Sequence, residues 1–207
     1  MANTLLKYYY VFGDSDDRHE FYYGKEDKLH FESCRLCKKV IDREAAIQAG
    51  IKVYRSRFNR LFYETWDGVT IVSDRFVEIY QQYRMNGLTF ELIPGLKNYY
   101  VMRCNNVVRF DTAANPEFVI TNICPECGRP DGAYRPYPYR MIAEDEQQLK
   151  AMTFYRSDIE FADKHTQSPL LFATEDIMQA FRMEGGRIFF EIAENGKSVV
   201  IDCKGKS

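Results

Sequence analysis

Apolar and polar positions recur along this chain with two periods, marking short strands and two amphipathic helices. Leu5 to Phe12 reads as a strand, stopped by the turn cluster Gly13-Asp14-Ser15-Asp16-Asp17. Residues 51–56 and 59–64 are short, moderately apolar pieces that end at Trp66-Asp67-Gly68, a tight-turn signal. Val69 to Val72 is an apolar run. Ser73 follows as an N-cap, and Phe76, Val77, Ile79, Tyr80 and Tyr83 take helical spacing. Asp74 and Glu78 lie early in that helix, where the macrodipole favours acids, and Gly87 is expected to close it as the C′ residue. Leu88 to Ile93 alternates as a strand. Residues 99–102 and 107–110 predict a hairpin turning at Asn105-Asn106, and 118–123 another strand. Arg129 to Arg140 reads as a loop rich in Pro, Tyr and Arg, 143–150 as a charged, weakly periodic piece, and Thr153 to Phe161 as a strand. A second helix starts at Thr174, with Glu175 and Asp176 in its first turn and Ile177, Met178, Phe181 and Met183 as apolar positions. Gly185-Gly186 ends it. Ile188–Ile192 and Ser198–Asp202 then form a hairpin across Asn195-Gly196.

The two helical units resemble each other. Tyr83-Arg84-Met85-Asn86-Gly87 is answered by Phe181-Arg182-Met183-Glu184-Gly185, and Phe90-Glu91-Leu92 by Phe190-Glu191-Ile192. Duplication and chance convergence of helices ending at glycine both explain the match. In either case, a helix leading through glycine into a strand lays its apolar stripe on that strand's sheet. The pattern predicts an α+β fold: mostly antiparallel sheet with two similar helix-to-strand units. The 207 residues fit a single domain over 1–207 with two similar halves, about 1–115 and 116–207.

Cysteine spacing adds a chemical feature. Cys34-Arg35-Leu36-Cys37 and Cys124-Pro125-Glu126-Cys127-Gly128 are two CxxC pairs with 86 residues between them, positions 38–123. Two thiolates two residues apart can grip one metal ion from a tight turn, and two such turns complete the tetrahedral four-sulfur shell of structural zinc. Pro125 and Gly128 give the second pair the backbone of a zinc knuckle. The first pair has Lys38 and Lys39 where a glycine is expected. A minimal zinc ribbon has only ~15–20 residues between its pairs, so a whole module would be inserted here. Four metal ligands, Cys34, Cys37, Cys124 and Cys127, make one structural zinc-knuckle pair. Buried free cysteines at chance spacing, or disulfide or redox pairs, are the alternatives. Neither pair sits in the strand-to-helix context of a thioredoxin-like motif. His30 is a substitute ligand only by proximity, and Cys104 and Cys203 read as small buried hydrophobes.

Composition narrows the function. The net charge of −2 and a pI near 6.0 argue against nucleic acid as the partner, since such binders show a basic face and pI above ~9. No apolar run is long enough to cross a membrane and no signal segment opens the chain, so the expected location is cytoplasmic. In that reducing setting, CxxC pairs hold metal more often than they form disulfides. Three histidines, His19, His30 and His165, form no paired motif. No nucleophile elbow or phosphate loop is present, so the chain reads as a non-enzyme. With 15 Tyr and 15 Phe the chain is rich in residues that suit protein contact. Tyr134, Arg135, Tyr137, Tyr139 and Arg140 are the candidate partner-binding residues.

The two distant CxxC pairs, the second written Cys-Pro-x-Cys-Gly, resemble the bacterial double-CxxCG motif proteins. Thr70-Ile71-Val72-Ser73-Asp74-Arg75-Phe76-Val77-Glu78, followed by Gly87-Leu88-Thr89-Phe90, is similar to a segment of related immunity proteins of polymorphic toxin systems. The missing glycine after Cys37 departs from the motif. The resemblance implies a zinc-binding protein that neutralises a cognate toxin by binding it, without catalysis. A zinc-containing nucleic-acid-binding or regulatory protein is the alternative.

Overall fold

The computed structural model describes residues 6–16, 33–41, 61–65, 68–93, 96–114, 118–134, 139–163, 167–192 and 198–203. The fold is α+β and rich in antiparallel sheet. Thirteen strands are described: β1 Tyr8–Phe12, β2 Asp14–Asp16, β3 Phe62–Thr65, β4 Thr70–Ser73, β5 Leu88–Leu92, β6 Tyr99–Cys104, β7 Val107–Val108, β8 Val119–Ile123, β9 Pro130–Tyr134, β10 Phe154–Asp163, β11 Ser168–Thr174, β12 Gly186–Ile192 and β13 Ser198–Cys203. The described helices are α1 Asp74–Gln82, the single turn α2 Ala143–Glu146, and α3 Glu175–Glu184.

Two sheets result. The larger runs β13-β12-β1-β11-β10-β9-β8, with β7 beside β10, and the smaller runs β2-β3-β4-β6-β5. Most pairings are antiparallel; β2–β3 and β7–β10 are parallel. The chain crosses between sheets at two corners. At Gly13 it leaves β1 of the larger sheet for β2 of the smaller; a Cβ there would lie 2.5 Å from Cδ1 of Phe62. At Asn105-Asn106 it leaves β6 for β7.

That second corner replaces the expected hairpin. β6 pairs with β4 and β5, whereas β7 pairs with β10. Long-range hydrogen bonds win over the local turn. Asn105 N–H donates to Gly87 O at 2.8 Å, Asn106 Nδ2 donates to Phe154 O at 3.0 Å, and Arg156 N–H donates to Asn106 O at 2.8 Å.

Both helix-to-strand units are split β-α-β units. β4 and β5 run parallel with β6 antiparallel between them, and β11 and β12 run parallel with β1 between them. In the first unit the middle strand follows the helix; in the second it comes from the chain's N-terminal part. The helices meet face to face, with Phe76 and Phe181 ring centroids 5.0 Å apart. Glu184 ties them outside the core, accepting from Tyr83 Oη at 2.9 Å, Gln82 Nε2 at 2.8 Å and Arg75 Nη2 at 2.6 Å. Strand alternation sorts the apolar residues. Tyr9, Val11, Val72, Met102, Leu171 and Ala173 join both helices in the main core, while Tyr10, Leu170 and Phe172 face a second core under Tyr139, Met141 and Leu149. Ile71, Tyr63 and Val101 form a third, on the outer face of the smaller sheet.

Several local expectations need correcting. Ser73 Oγ accepts the Phe76 N–H at 3.4 Å, as an N-cap does, but Gly87 is not the C′ residue of α1. Arg84 is, at φ 53°, with Met85 N–H donating to Tyr80 O and Arg84 N–H to Gln81 O. Gly87 serves a close approach instead. At φ 97° its missing Cβ would lie 2.4 Å from Phe154 O, so glycine lets the first unit close against β10. Thr174 is the N-cap residue of α3 as expected, with extended backbone at φ −74° and ψ 160°, but its hydroxyl donates to Asp176 and makes no capping bond to a helix N–H. Met183 is 70% exposed and adds nothing to the core. Pro130–Tyr134, expected as loop, is a strand paired with β8, because the second CxxC is the turn of a hairpin. The turns expected at Trp66-Asp67 and Asn195-Gly196, and the pieces at 51–56 and 59–60, lie outside the described residues.

Candidate metal centre

The two CxxC turns have the same backbone. In the first, Lys38 N–H donates to Cys34 O at 2.9 Å and Cys34 N–H to Lys39 O at 2.9 Å. In the second, Gly128 N–H donates to Cys124 O at 2.8 Å and Cys124 N–H to Arg129 O at 2.9 Å. The residue after the second cysteine is left-handed in both, with Lys38 at φ 64° and Gly128 at φ 70°. The lysine therefore adopts the conformation that glycine supplies in the second knuckle. Flanking pairings hold each turn: Ser33 bridges Val40 in the first, and Ile123 pairs with Pro130 in the second.

The turns face each other and bring the four sulfurs together. Cys34 Sγ lies 3.8 Å from Cys124 Sγ, and Cys37 Sγ lies 3.5 Å from Cys127 Sγ. All four lie within 4.8 Å of one another. A tetrahedral shell with Zn–S of ~2.3 Å spaces its sulfurs about 3.8 Å apart, so the donor set fits such an ion. The four cysteines could hold a metal ion. None of the four is disulfide-bonded, Cys34 and Cys124 are buried, and Cys37 and Cys127 are partly covered. Backbone N–H groups aim at the sulfurs: those of Cys127 and Glu126 pull the Cys124 thiol down to about 7, the Cys127 amide contributing most. Burial pushes the Cys37 thiol up to about 12, against the Lys39 amide, which lowers it. Such N–H donors favour the thiolate a metal needs.

Neighbouring contacts lock the turns together. Leu36 N–H donates to Glu126 Oε2 at 3.1 Å, across the two knuckles, and Arg129 Nη2 donates to Ile41 O at 2.8 Å. Lys39 is only 4% exposed. Its ammonium donates to Pro130 O, to Gln167 Oε1 at 2.9 Å and to Asp131 O at 3.5 Å. Gln167 Nε2 reaches Pro130 O at 3.2 Å. Lys39 thus plugs into the larger sheet beside β9, while its neighbour Val40 packs on the outer face of the smaller sheet. The first knuckle is pinned to both sheets. The Lys38-Lys39 pair was visible in sequence as charge beside the cysteines; Gln167 and Glu126 carried no signal, since only the fold brings them there.

The other sequence candidates separate. Tyr134 is 53% exposed on β9, and Arg140 is exposed. Tyr139 is 2% exposed, its ring 5.2 Å from Tyr10, so it builds the second core instead of presenting a surface. Arg135 and Tyr137, like His19, His30 and His165, lie outside the described residues. Cys104 is buried and its thiol is pushed up to about 12, chiefly by desolvation, which suits an inert core residue. Cys203 lies in β13.

A cavity of about 730 Å³ opens between the sheets, with Glu64, Arg103, Arg156 and Glu160 on its walls. Its arginines are engaged: Arg103 Nη1 pairs with Glu91 at 2.8 Å, and Arg156 Nε donates to Cys104 O at 3.0 Å. Among the described residues no helix is long and apolar enough to cross a membrane. Compared with known proteins, the chain matches no family model and no curated sequence.

Proposed function

We propose that this chain is a cytoplasmic, zinc-clasped binding protein that neutralises a partner protein, in the manner of an immunity protein against a bacterial toxin. The observation that carries the reading is the four-cysteine cluster. Its donor set is complete, so it leaves no open position of the kind a catalytic zinc keeps. A closed four-thiolate zinc is a structural element. It fixes the surfaces around it, and binding is what rigid surfaces do well. The resemblance of the CxxC pairs to double-CxxCG motif proteins, and of Thr70–Glu78 with Gly87–Phe90 to a segment of related immunity proteins, suggests the class of partner. The mechanism is occlusion: the partner's active surface is covered by exposed aromatic and arginine anchors such as Tyr134 and Arg140. A net charge of −2 leaves shape complementarity as the main determinant of partner choice.

The test is co-expression with a toxin encoded next to this chain's gene. Protection of growth and a stoichiometric complex are the expected result. Absence of any toxin gene there, with no protection, contradicts the reading. Salt-dependent retention on nucleic acid, with no protein complex, would favour a nucleic-acid-binding role instead.

A further inference from the structure

We infer that Lys39 is the counter-charge of the metal centre: its buried ammonium offsets the negative charge of a divalent ion held by four thiolates, and so raises the site's affinity for divalent metal. The inference rests on metal binding by the four cysteines. Lys39 is buried, and its ammonium donates to Pro130 O, to Asp131 O at 3.5 Å and to Gln167 Oε1 at 2.9 Å. All three acceptors are neutral oxygens. Asp131 meets the ammonium through its backbone carbonyl, and Lys39 forms no ion pair with a carboxylate among the described residues. The carboxylate of Glu126, on the second knuckle, accepts from the Leu36 N–H instead. A buried cation whose hydrogen bonds all go to neutral groups is satisfied in geometry and uncompensated in charge, which is costly in a low-dielectric interior.

The compensating charge lies close along both stretches of chain. Lys39 follows Cys37 by two residues, and Pro130, whose carbonyl the ammonium reaches, follows Cys127 by three. The side chain therefore extends from the first knuckle to the strand leaving the second. Lys39 also turns its backbone N–H to the Cys37 sulfur. Four thiolates around a divalent ion leave two net negative charges at the centre. Arg35 and Lys38, the other cations of the first knuckle, are exposed, where water and salt screen them. Lys39 is the cation placed where a charge acts at nearly full strength. A positive charge held there favours the more negative state of a thiolate-bound metal, hence fourfold thiolate ligation and, for iron, the ferrous over the ferric form.

Two substitutions separate charge from hydrogen bonding. Lys39→Gln removes the charge and keeps an N–H donor on the side chain, whereas Gln167→Leu removes one of the acceptors and keeps the charge. By chelator competition, zinc affinity should fall about 10–100-fold in Lys39→Gln and far less in Lys39→Arg. Iron, which four thiolates also hold, supplies a readout that packing alone does not move. The reduction potential of the iron-substituted full chain should become more negative in Lys39→Gln. It should stay near the parent value in Lys39→Arg, Gln167→Leu and Lys38→Gln. Lys39→Met is a second neutral variant and should shift the potential in the same direction as Lys39→Gln. Neutral variants that bind metal at the parent potential, or an equal shift in Gln167→Leu, would overturn the counter-charge and leave the metal clasp standing. A parent protein that binds neither zinc nor iron would remove both.

Discussion

Lys38 and Gly128 occupy the same left-handed position in their knuckles, and only one of them is a glycine. An L-residue pays about 1–2 kcal/mol for that conformation. Lys38→Gly should therefore stabilise the zinc-loaded protein by about 1 kcal/mol, a gain partly offset by the freer unfolded chain. Gly128→Ala should cost about 1 kcal/mol from backbone strain, since its Cβ would meet nothing within 4 Å. Chemical denaturation of the metal-loaded variants measures both. Gly87→Ala should be worse, by at least ~2 kcal/mol, because its Cβ would strike Phe154 O. At this scale the ligand spacing was legible and the conformation was not. CxxC names four sulfurs, but nothing local to Lys38 says that it will turn left-handed. The same limit hid Tyr139, whose polar tip and loop setting suggested a surface until Tyr10 and Met141 closed around it.

Among the elements, α1 and α3 were readable from apolar period and flanking hydroxyl residues. Their strands were readable from alternation. Sheet membership was not, because a strand's sequence records which face is buried without recording its neighbour. Val107–Val108 follows β6 directly yet joins β10, through side-chain and backbone bonds from Asn106 and Arg156 that no local pattern encodes. The α2 turn illustrates a pH-dependent tie. Arg109 donates to Asp145 from its guanidinium, at 2.7 Å from Nη2, and from its backbone N–H at 2.6 Å, holding the Asp145 carboxyl below its ordinary value. Because the folded value is depressed, the stabilisation is present above the ordinary aspartate pKa, about 4. It is lost as pH falls through the lower folded value. Melting temperature followed against pH should drop on the acid side for the parent protein. Asp145→Asn should flatten part of that drop while leaving the neutral plateau slightly lower.

For the whole molecule, the four-cysteine cluster brings together parts of the chain that sequence order separates. The first knuckle touches the smaller sheet through Val40 and the larger through Lys39, and the second knuckle is the tip of the β8–β9 hairpin. Lys39→Met would leave the Pro130 and Asp131 carbonyls and the Gln167 amide without their ammonium donor. A cost of about 3 kcal/mol is expected, with faster hydrogen exchange at Gly132, Ala133 and Ala162. A structural zinc in a four-thiolate site is worth ~10–16 kcal/mol in small domains, comparable to the whole stability of an ordinary fold. Thiols must lose protons to bind it, so zinc affinity should fall as pH falls, measurable by chelator competition. The most direct test of the clasp is elemental analysis of purified protein combined with its thermal transition before and after a tight chelator. About one zinc per chain is expected, with loss of the folded transition when the zinc is removed. Protein that carries no metal, or that melts unchanged once stripped of it, would contradict a zinc-clasped fold.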